Sequence, residues 1–436
     1  MAFPGQEYRP PEALEIKLRS VPVRHRETGA YSLPPEETAG RVRAVGEKIG
    51  IDAVDLIDTA CTDGVPIYRV NNATQRAKCH RALFLWSSPP APLNHPVREN
   101  YGKGMTPAQS LASAMMEAVE RYCGQLFPHH LVIRADYREV RQLAVHPAQF
   151  SFPALPLKCR HCPARERLCF EDLGRLDGEW AWGYSLTRQA PALVPAALVY
   201  YPYLSAGGLS FIFNDTGGLA AGNTLEEALL QGIAEIVERD SLYQAFNLEN
   251  TGIMQYIDFS RDGGRHLQKF DREALPARSV FSFRISNSRL GDFISTYTAF
   301  ICYQDQGSRR FFGGSGASLD PVAGLTRALT EMEQQKVRQK ELRRFDPARL
   351  VRHNGHRGGQ TLVAGDLPVH SDSDLKNDLE YCLAEFKKRG LDVLAVDLTH
   401  PEIGIPVVRV IIPELTAYSG NMIREELLTG LMHSFS

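Results

Sequence analysis

Two short strings in the chain, Glu117-x-x-Glu120-Arg121 and Glu235-x-x-Glu238-Arg239, set two carboxylates and an arginine at three- and four-residue spacing. On an α-helix such positions share one face. Carboxylates one turn apart repel unless a cation lies between them. The arginine four residues on supplies one, as an i,i+4 pair on a solvated helix surface, and a single copy favours that reading. Mg2+ supplies another, because a hard cation takes carboxylate oxygens and usually keeps a phosphate as well. The second copy extends into a stripe: Glu227, Gln231 and Glu235 recur at four-residue steps on a helix otherwise apolar at Leu229, Leu230, Ile233, Ile236 and Val237. A third stripe holds Arg327, Glu331 and Gln334 at steps of four and three. Three polar stripes collected around Mg2+ and a triphosphate account for all of them, since phosphoryl transfer asks mainly for positioning and charge neutralisation. Glu227 also has a local explanation, a capping box with Thr224. The phosphate loop G-x-x-x-x-G-K-[ST] is missing, and Gly102-Lys103-Gly104 resembles it only superficially.

The elements that must position these stripes share one context. Gly102-Lys103-Gly104-Met105-Thr106-Pro107 leads into a helix predicted over residues 108–122, with Thr106 as cap, Pro107 at the first helical position and Gln109 completing a capping box. Gly217-Gly218-Leu219-Ala220-Ala221-Gly222-Asn223-Thr224 leads into a second helix over 225–243. Gly313-Gly314-Ser315-Gly316-Ala317-Ser318-Leu319-Asp320-Pro321 leads into a third, over 322–338. Strand–glycine–helix units of this kind turn backbone N–H groups and a helix N-terminus toward an anion. Three of them facing inward would surround a nucleotide. Before them, the first forty residues, rich in Pro, Arg and Glu, are expected to form a strand or an extended arm, and a helix is expected over 36–49. After them, residues 339–372 read as a mobile surface loop, followed by an amphipathic helix over 374–390 and strands over 391–398 and 405–412. The fold class is α/β. The expected divisions are 1–100, a core over 101–340 with a cysteine-containing insertion at 150–185, and a C-terminal α/β part over 341–436.

Composition narrows the partners. Lys+Arg is 49 against Asp+Glu 51, and this near-neutral balance argues against broad binding to nucleic acid or anionic membrane. No apolar stretch follows Met1-Ala2-Phe3-Pro4-Gly5, so no secretion signal stands out. The longest charge-free run, between Arg188 and Asp215, is broken by Pro191, Pro195, Pro202 and Gly207-Gly208; it reads as strands and turns, not a membrane helix. Eight cysteines in so long a chain point to reduced thiols in a cytoplasm. Cys159, Cys162 and Cys169 are open to two readings, ordinary thiols or a zinc site; the zinc reading needs a distant fourth ligand, with Cys79-His80 as a source. The basic segment from Arg338 to Arg357 suits an acidic leader peptide or a partner, or is a solvated loop.

The segments carrying Gly102-Lys103-Gly104 with Glu117-x-x-Glu120-Arg121, Gly222-Asn223-Thr224 with Glu235-x-x-Glu238-Arg239, and Asp320-Pro321 with Arg327-x-x-x-Glu331-x-x-Gln334 closely resemble the three blocks of YcaO proteins, in the same order over residues 20–340. The resemblance implies a fold that holds ATP and Mg2+ between the helices. Mg2+ ligands would fall on Glu117, Glu120, Glu235 and Glu238, with Glu227 an alternative. Asn223, Arg239 and Arg327 would meet phosphate or ribose, joined in the nucleotide site by Glu227, Ser113 and Thr38, with Arg26 near Thr38. The implied activity is ATP-dependent O-phosphorylation of a peptide-backbone amide. Two departures steer the finer reading: Met116 stands where azoline-forming members carry the second serine of Ser-x-x-Ser-Glu-x-x-Glu-Arg, and the chain closes on Met432-His433-Ser434-Phe435-Ser436 instead of a Pro-x-Pro-x-Pro tail, with Pro413 its last proline. No N-terminal extension is long enough for a fused peptide-binding clamp. Thioamide formation with a TfuA-like partner is the first expectation. Azoline cyclodehydration of Cys, Ser or Thr in a precursor peptide, with a leader-peptide-binding protein, is the second. A non-catalytic ATP-binding accessory to sulfur modification is the third. A homodimer is left open.

Overall fold

Residues 51–57 alternate half-buried and exposed positions one by one, as a strand does when one face is open to solvent. The computed structural model of the chain describes residues 8–12, 14–26, 28–57, 64–73, 97–146, 149–150, 177–203, 216–246, 253–258, 267, 270, 278–305, 308–338 and 362–415. An arm of mostly extended chain reaches helix α1 (Pro35–Val45), where Pro35 takes the first helical position. An antiparallel sheet follows, ordered β1 (Ile51–Ile57), β2 (Ile67–Ala73), β3 (Val97–Lys103). Helix α2 (Pro107–Cys123) packs back on it and against α1, burying Ala114, Met115, Ala118 and Val119 with Val42 and Val70.

Next come β4 (Val132–Asp136), the short helix α3 (Tyr137–Val140), β5 (Asp177–Ser185), β6 (Ala190–Pro195), the short helix α4 (Ala196–Val199) and β7 (Leu219–Ala221). Helix α5 (Leu225–Phe246) leads to a four-stranded sheet of β8 (Met254–Ile257), β9 (Arg278–Asn287), β10 (Gly291–Asp305) and β11 (Ser308–Ser318), paired in chain order. Helix α6 (Pro321–Val337) lies across β10 and β11. Helix α7 (Leu375–Lys388), capped by Asp374, packs on α5. Strands β12 (Leu394–Asp397) and β13 (Val407–Ile411) complete a third sheet ordered β4-β5-β12-β13-β7, with β6 beside β5. The fold is α/β, and every pair of named strands is antiparallel. Helix α5 is buried on most sides because it faces β7 and β13, the second sheet and α7 at once.

Several expectations shift. The helix expected to reach residue 49 stops at Val45, because the chain turns through Gly50 at φ +73° into β1. The charge-free run contains α4 as well as a strand. The boundary set at residue 100 falls inside β3. In the expected loop, Leu362 bridges Ile257 and a 3₁₀ turn covers Ala364–Asp366. The cysteines at 159, 162 and 169, Cys79-His80, residues 339–361 of that loop and the C-terminal residues from 416 lie outside the described residues. Among the described residues, no helix is long and apolar enough to cross a membrane.

Candidate functional site

Gly102 ahead of α2 and Gly313, Gly314 and Gly316 ahead of α6 lie within strands and do not form open phosphate loops. A Cβ on Gly102 would overlap the Ser110 carbonyl and the Ala114 nitrogen of α2, and one on Gly314 the backbone of Ala328 and Met332 of α6. The glycines let β3 and β11 lie directly on the helices that follow them. Thr106 caps α2 by accepting the Gln109 N–H at 3.3 Å. The Gln109 side chain then accepts from Met105 N–H, one residue before the cap, so the expected box closes early. At α5 the same variation recurs: Thr224 accepts from Glu227 N–H at 3.2 Å, and Glu227 accepts from Asn223 N–H.

Each E-x-x-E-R helix repeats one device. Glu117 Oε1 pairs with Arg121, and its Oε2 accepts the Tyr101 N–H from β3 at 2.7 Å. Glu235 Oε1 pairs with Arg239 at 3.3 Å, and its Oε2 accepts the Gly218 N–H at 3.1 Å. The i,i+4 pairs are therefore real, and the two carboxylates are only partly open to solvent, 22% and 25% exposed. Burial, then Glu235 and Glu117, push the Glu120 carboxyl well above the usual range, with Arg121 and Arg409 partly opposing them. Acidic side chains of α2 and α5 thus confront one another. Glu238 is buried and accepts Ser315 Oγ of β11 at 2.6 Å.

Helix α6 closes the third side. Gln334 donates to the Tyr101 carbonyl at 2.5 Å, so α2 and α6 share the free edge of β3. Arg327 Nη1 donates to Gln231 Oε1 at 3.3 Å, and its buried Nε has no partner among the described residues. Glu331 pairs with Lys103 at 2.6 Å. Burial alone would raise its carboxyl, but Lys103 and Arg239 hold it below the usual range. Ser113, one turn before Glu117, is half-buried and has no hydrogen-bond partner among the described residues.

A second polar cluster lies at the start of α5. Asn223 Nδ2 donates to Thr38 Oγ1 at 2.9 Å and to Glu227 Oε1 at 3.0 Å. Arg41 of α1 donates to the Asn223 carbonyl at 2.8 Å. Glu227 Oε2 accepts from Ser32 N–H and Oγ. Thr38 therefore meets Asn223, whereas Arg26, expected near it, reaches Ser371 and Asp372 on the segment before α7.

Sequence reasoning missed five participants. Arg41, Ser32 and Ser315 carry no local signal, each being a single polar residue with no polar stripe of its own. Lys103 stood inside a string discounted as a false phosphate loop. Arg409 did carry a signal, one charge in the apolar run of β13. It is 2% exposed and donates to the carbonyls of Leu198 at 2.5 Å and Gly217 at 2.8 Å, beside the Gly218 N–H that orients Glu235.

The chemistry of the donor set suits a hard cation with a polyphosphate: carboxylates confronting from two helices, with arginines and a lysine around them. Among the described residues, no three His, Cys, Asp or Glu side chains form a finished metal cage. Arg121 and Arg239 occupy the oxygens of Glu117 and Glu235. The zinc expectation gains no support from these residues.

Known proteins resemble this chain in sequence and fold. The family model for YcaO cyclodehydratase, described as ATP- and Mg2+-binding, matches residues 101–416. A protein of Methanothermobacter thermautotrophicus is 30% identical over 88% of this chain and 94% of its own length. A protein from the tfuA 3′ region of Rhizobium leguminosarum bv. trifolii is 25% identical over 74% of this chain and 78% of its own. Among solved structures, a heterocyclase in complex with substrate and cofactor superposes with a TM-score of 0.73 at 26% identity over 92% of this chain, which spans 54% of that larger protein. YcaO from Methanopyrus kandleri bound with AMPPCP and Mg2+ superposes with a TM-score of 0.68 at 23% identity, over 93% of this chain and 97% of its own, a likeness of fold.

Proposed function

The chain belongs to the YcaO family, and on that premise we propose that it uses Mg2+ and ATP to phosphorylate the oxygen of a peptide-backbone amide, leading to a thioamide. The observation that carries the proposal is the repeated device on α2 and α5, in which Glu117 and Glu235 are each held by a backbone N–H and an arginine, with Glu120 within electrostatic reach of both. Like charges gathered in one place are relieved by a proton or by a cation between them, and a divalent cation relieves all three at once. In this reading those three carboxylates hold Mg2+, which supplies charge neutralisation at the triphosphate. Glu238, one turn after Glu235 on α5, is engaged by Ser315. Arg239 and Arg327 bind phosphate; the buried, unpartnered Nε of Arg327 supports that role. Asn223 and Thr38 meet the nucleoside end, and Ser113 borders the site from α2. From Asn223 to Glu235 the stripe on α5 spans about 18 Å at the helical rise per residue, comparable with an extended nucleoside triphosphate.

The chain's own part in the chemistry is alignment and charge. A nucleophile adds to the peptide carbonyl, the amide oxygen is phosphorylated, and phosphate departs as the new bond order forms. Met116 in place of serine and the 25% identical relative in a tfuA 3′ region support a sulfide equivalent as nucleophile, with a TfuA-like partner. The cyclodehydratase family model and the 26% identical heterocyclase favour a second reading, ring closure by a neighbouring Cys, Ser or Thr.

Mass spectrometry of a candidate peptide incubated with enzyme, Mg2+ and ATP separates the two, as an oxygen-to-sulfur exchange against the loss of one water. Glu117→Gln and Glu235→Gln are each expected to lower ATP turnover by at least about a hundredfold. Undiminished ADP release from both variants would remove the Mg2+ assignment.

A further inference from the structure

Glu117 and Glu235 each accept one backbone N–H, but the two donors are held in different ways. Tyr101 sits inside β3, registered against Arg69 of β2, so the ladder fixes the direction of its N–H. Gly218 lies just ahead of β7 and follows a second glycine. Its φ of +79° belongs to the left-handed region, and a Cβ there would overlap the Val410 carbonyl of β13. Close contact with β13 therefore requires glycine at 218. A peptide flanked by two glycines has a second orientation open to it, because no Cβ at either end resists its rotation. In that second orientation the N–H would turn away from Glu235.

Arg409 holds the other end of that same peptide. The Gly217 carbonyl accepts Arg409 Nη1 at 2.8 Å, while the Gly218 N–H donates to Glu235 Oε2 at 3.1 Å. In a trans peptide the carbonyl and the N–H point in opposite directions, so holding the first sets the second. The guanidinium is itself anchored. Its Nε donates to the Leu198 carbonyl at 2.5 Å, its backbone is in register with Leu219 of β7, and it is 2% exposed. A planar fork suits two carbonyls that come from separate segments.

A merely structural arginine would tie β13 to α4 and to the glycine pair. Neutral donors would serve for that, and burying a guanidinium is the more costly choice. The backbone also makes the tie already: Val410 N–H bonds the Gly218 carbonyl at 2.8 Å, and Gly222 N–H bonds the Pro406 carbonyl at 3.0 Å. The charge of Arg409 is felt by Glu120 as well, which sets it beside the carboxylates of α2 and α5. Resting on the assignment of Glu235 to Mg2+, we propose that Arg409 is a positioning residue for the metal site, locking the Gly217–Gly218 peptide so that its N–H holds the Glu235 carboxylate in place. The single charge in the apolar run of β13 then has a use.

The test titrates Mg2+ into the full chain with AMPPCP present and reads the half-saturating Mg2+ concentration by calorimetry, with melting temperatures taken without ligand. It compares the parent with Arg409→Lys, Arg409→Gln, Glu235→Gln and the double variant Arg409→Gln/Glu235→Gln. Arg409→Gln is expected to raise the half-saturating concentration about tenfold or more, the usual effect of losing a group that orients a metal ligand. Arg409→Lys keeps the buried charge and a donor, so it melts near the parent, but one ammonium in place of the fork raises that concentration several-fold. The double variant should match Glu235→Gln, because the arginine acts only through that carboxylate. Arg409→Lys half-saturating at the parent concentration would overturn the proposal, whatever its melting temperature. So would an Arg409→Gln effect of equal size with and without Glu235, since the arginine would then act through the fold at large. Glu235→Gln half-saturating like the parent would overturn the Mg2+ assignment itself, and this inference with it.

Discussion

Glu227 is 3% exposed yet accepts four hydrogen bonds, two from Asn223 on one oxygen and two from Ser32 on the other. A carboxylate offers about four acceptor sites, so this one is filled by donors and is stable without a cation. That distinguishes it from Glu120, which like charges crowd. Within the proposed function Glu227 is a positioning residue: it fixes Asn223 Nδ2, which also bonds Thr38, and pins the arm through Ser32. Glu227→Gln replaces an acceptor oxygen with an N–H2 group that must face donors. The expected cost is about 1–3 kcal/mol of stability, the penalty of an unmade buried hydrogen bond. Mg2+–ATP affinity should fall with it, because Asn223 is freed. Denaturant unfolding and nucleotide titration check the two effects; a variant as stable as the parent would show that the four bonds carry no net weight.

Strand and helix meet here through missing side chains. At Gly102 an added methyl runs into the backbone of α2, which cannot yield as a flexible side chain can. Gly102→Ala is expected to destabilise by about 3 kcal/mol or more and to disturb Glu117, whose Oε2 partner is the adjacent Tyr101 N–H. Gly40, exposed within α1 with nothing near its would-be Cβ, is the control. Gly40→Ala should stabilise by about 0.5–1 kcal/mol, since it restricts the unfolded chain and favours helix. Thermal melts of both variants test the contrast. The three helices were legible to within a few residues because caps, prolines and apolar spacing are local signals; Thr106, Pro107 and Asp320 act as their types suggest. The glycines were legible as glycines but not in purpose, since a loop that cradles phosphate and a strand that touches a helix use the same residue. The polar stripes could be read from spacing. The cross-links Tyr101–Glu117, Lys103–Glu331 and Arg41–Asn223 could not, because each joins separate elements, and only the packed sheets set their distances.

Across the whole molecule, one buried and one half-buried titratable group outside the site tilt stability in opposite directions with pH. Asp378 of α7 is fully buried, accepts from Asp372 N–H on Oδ1, and has no partner for Oδ2 among the described residues. Burial raises its carboxyl from 3.8 to about 6; the Asp372 N–H and Arg26 oppose this, while the charges of Asp372 and Asp374 add to it. A raised carboxyl means the folded chain holds the proton more tightly than the unfolded one, so this group's contribution is present at low pH and is lost as pH climbs from about 4 to 6. His130 is the opposite case. Burial, with His129 and His400 beside it, lowers it from 6.5 to about 4, and its Nδ1 accepts the Phe127 N–H at 3.1 Å. Its folded form excludes the proton, so stability is present above about 6.5 and is lost as pH falls toward 4. Relative to the parent, Asp378→Asn should therefore be more stable at pH 7.5 by on the order of 1–3 kcal/mol, with the gap closing near pH 4. His130→Asn keeps an acceptor near the Phe127 N–H but cannot be charged. Its stability relative to the parent should improve by a similar amount on going from pH 7.5 to pH 4. Denaturant unfolding of the parent and both variants across that range decides the matter, because the two difference curves must slope in opposite senses. Asp378→Asn gains on the parent as pH rises and His130→Asn gains as pH falls, so curves that run flat would mean that neither group keeps its shifted proton affinity in the folded chain.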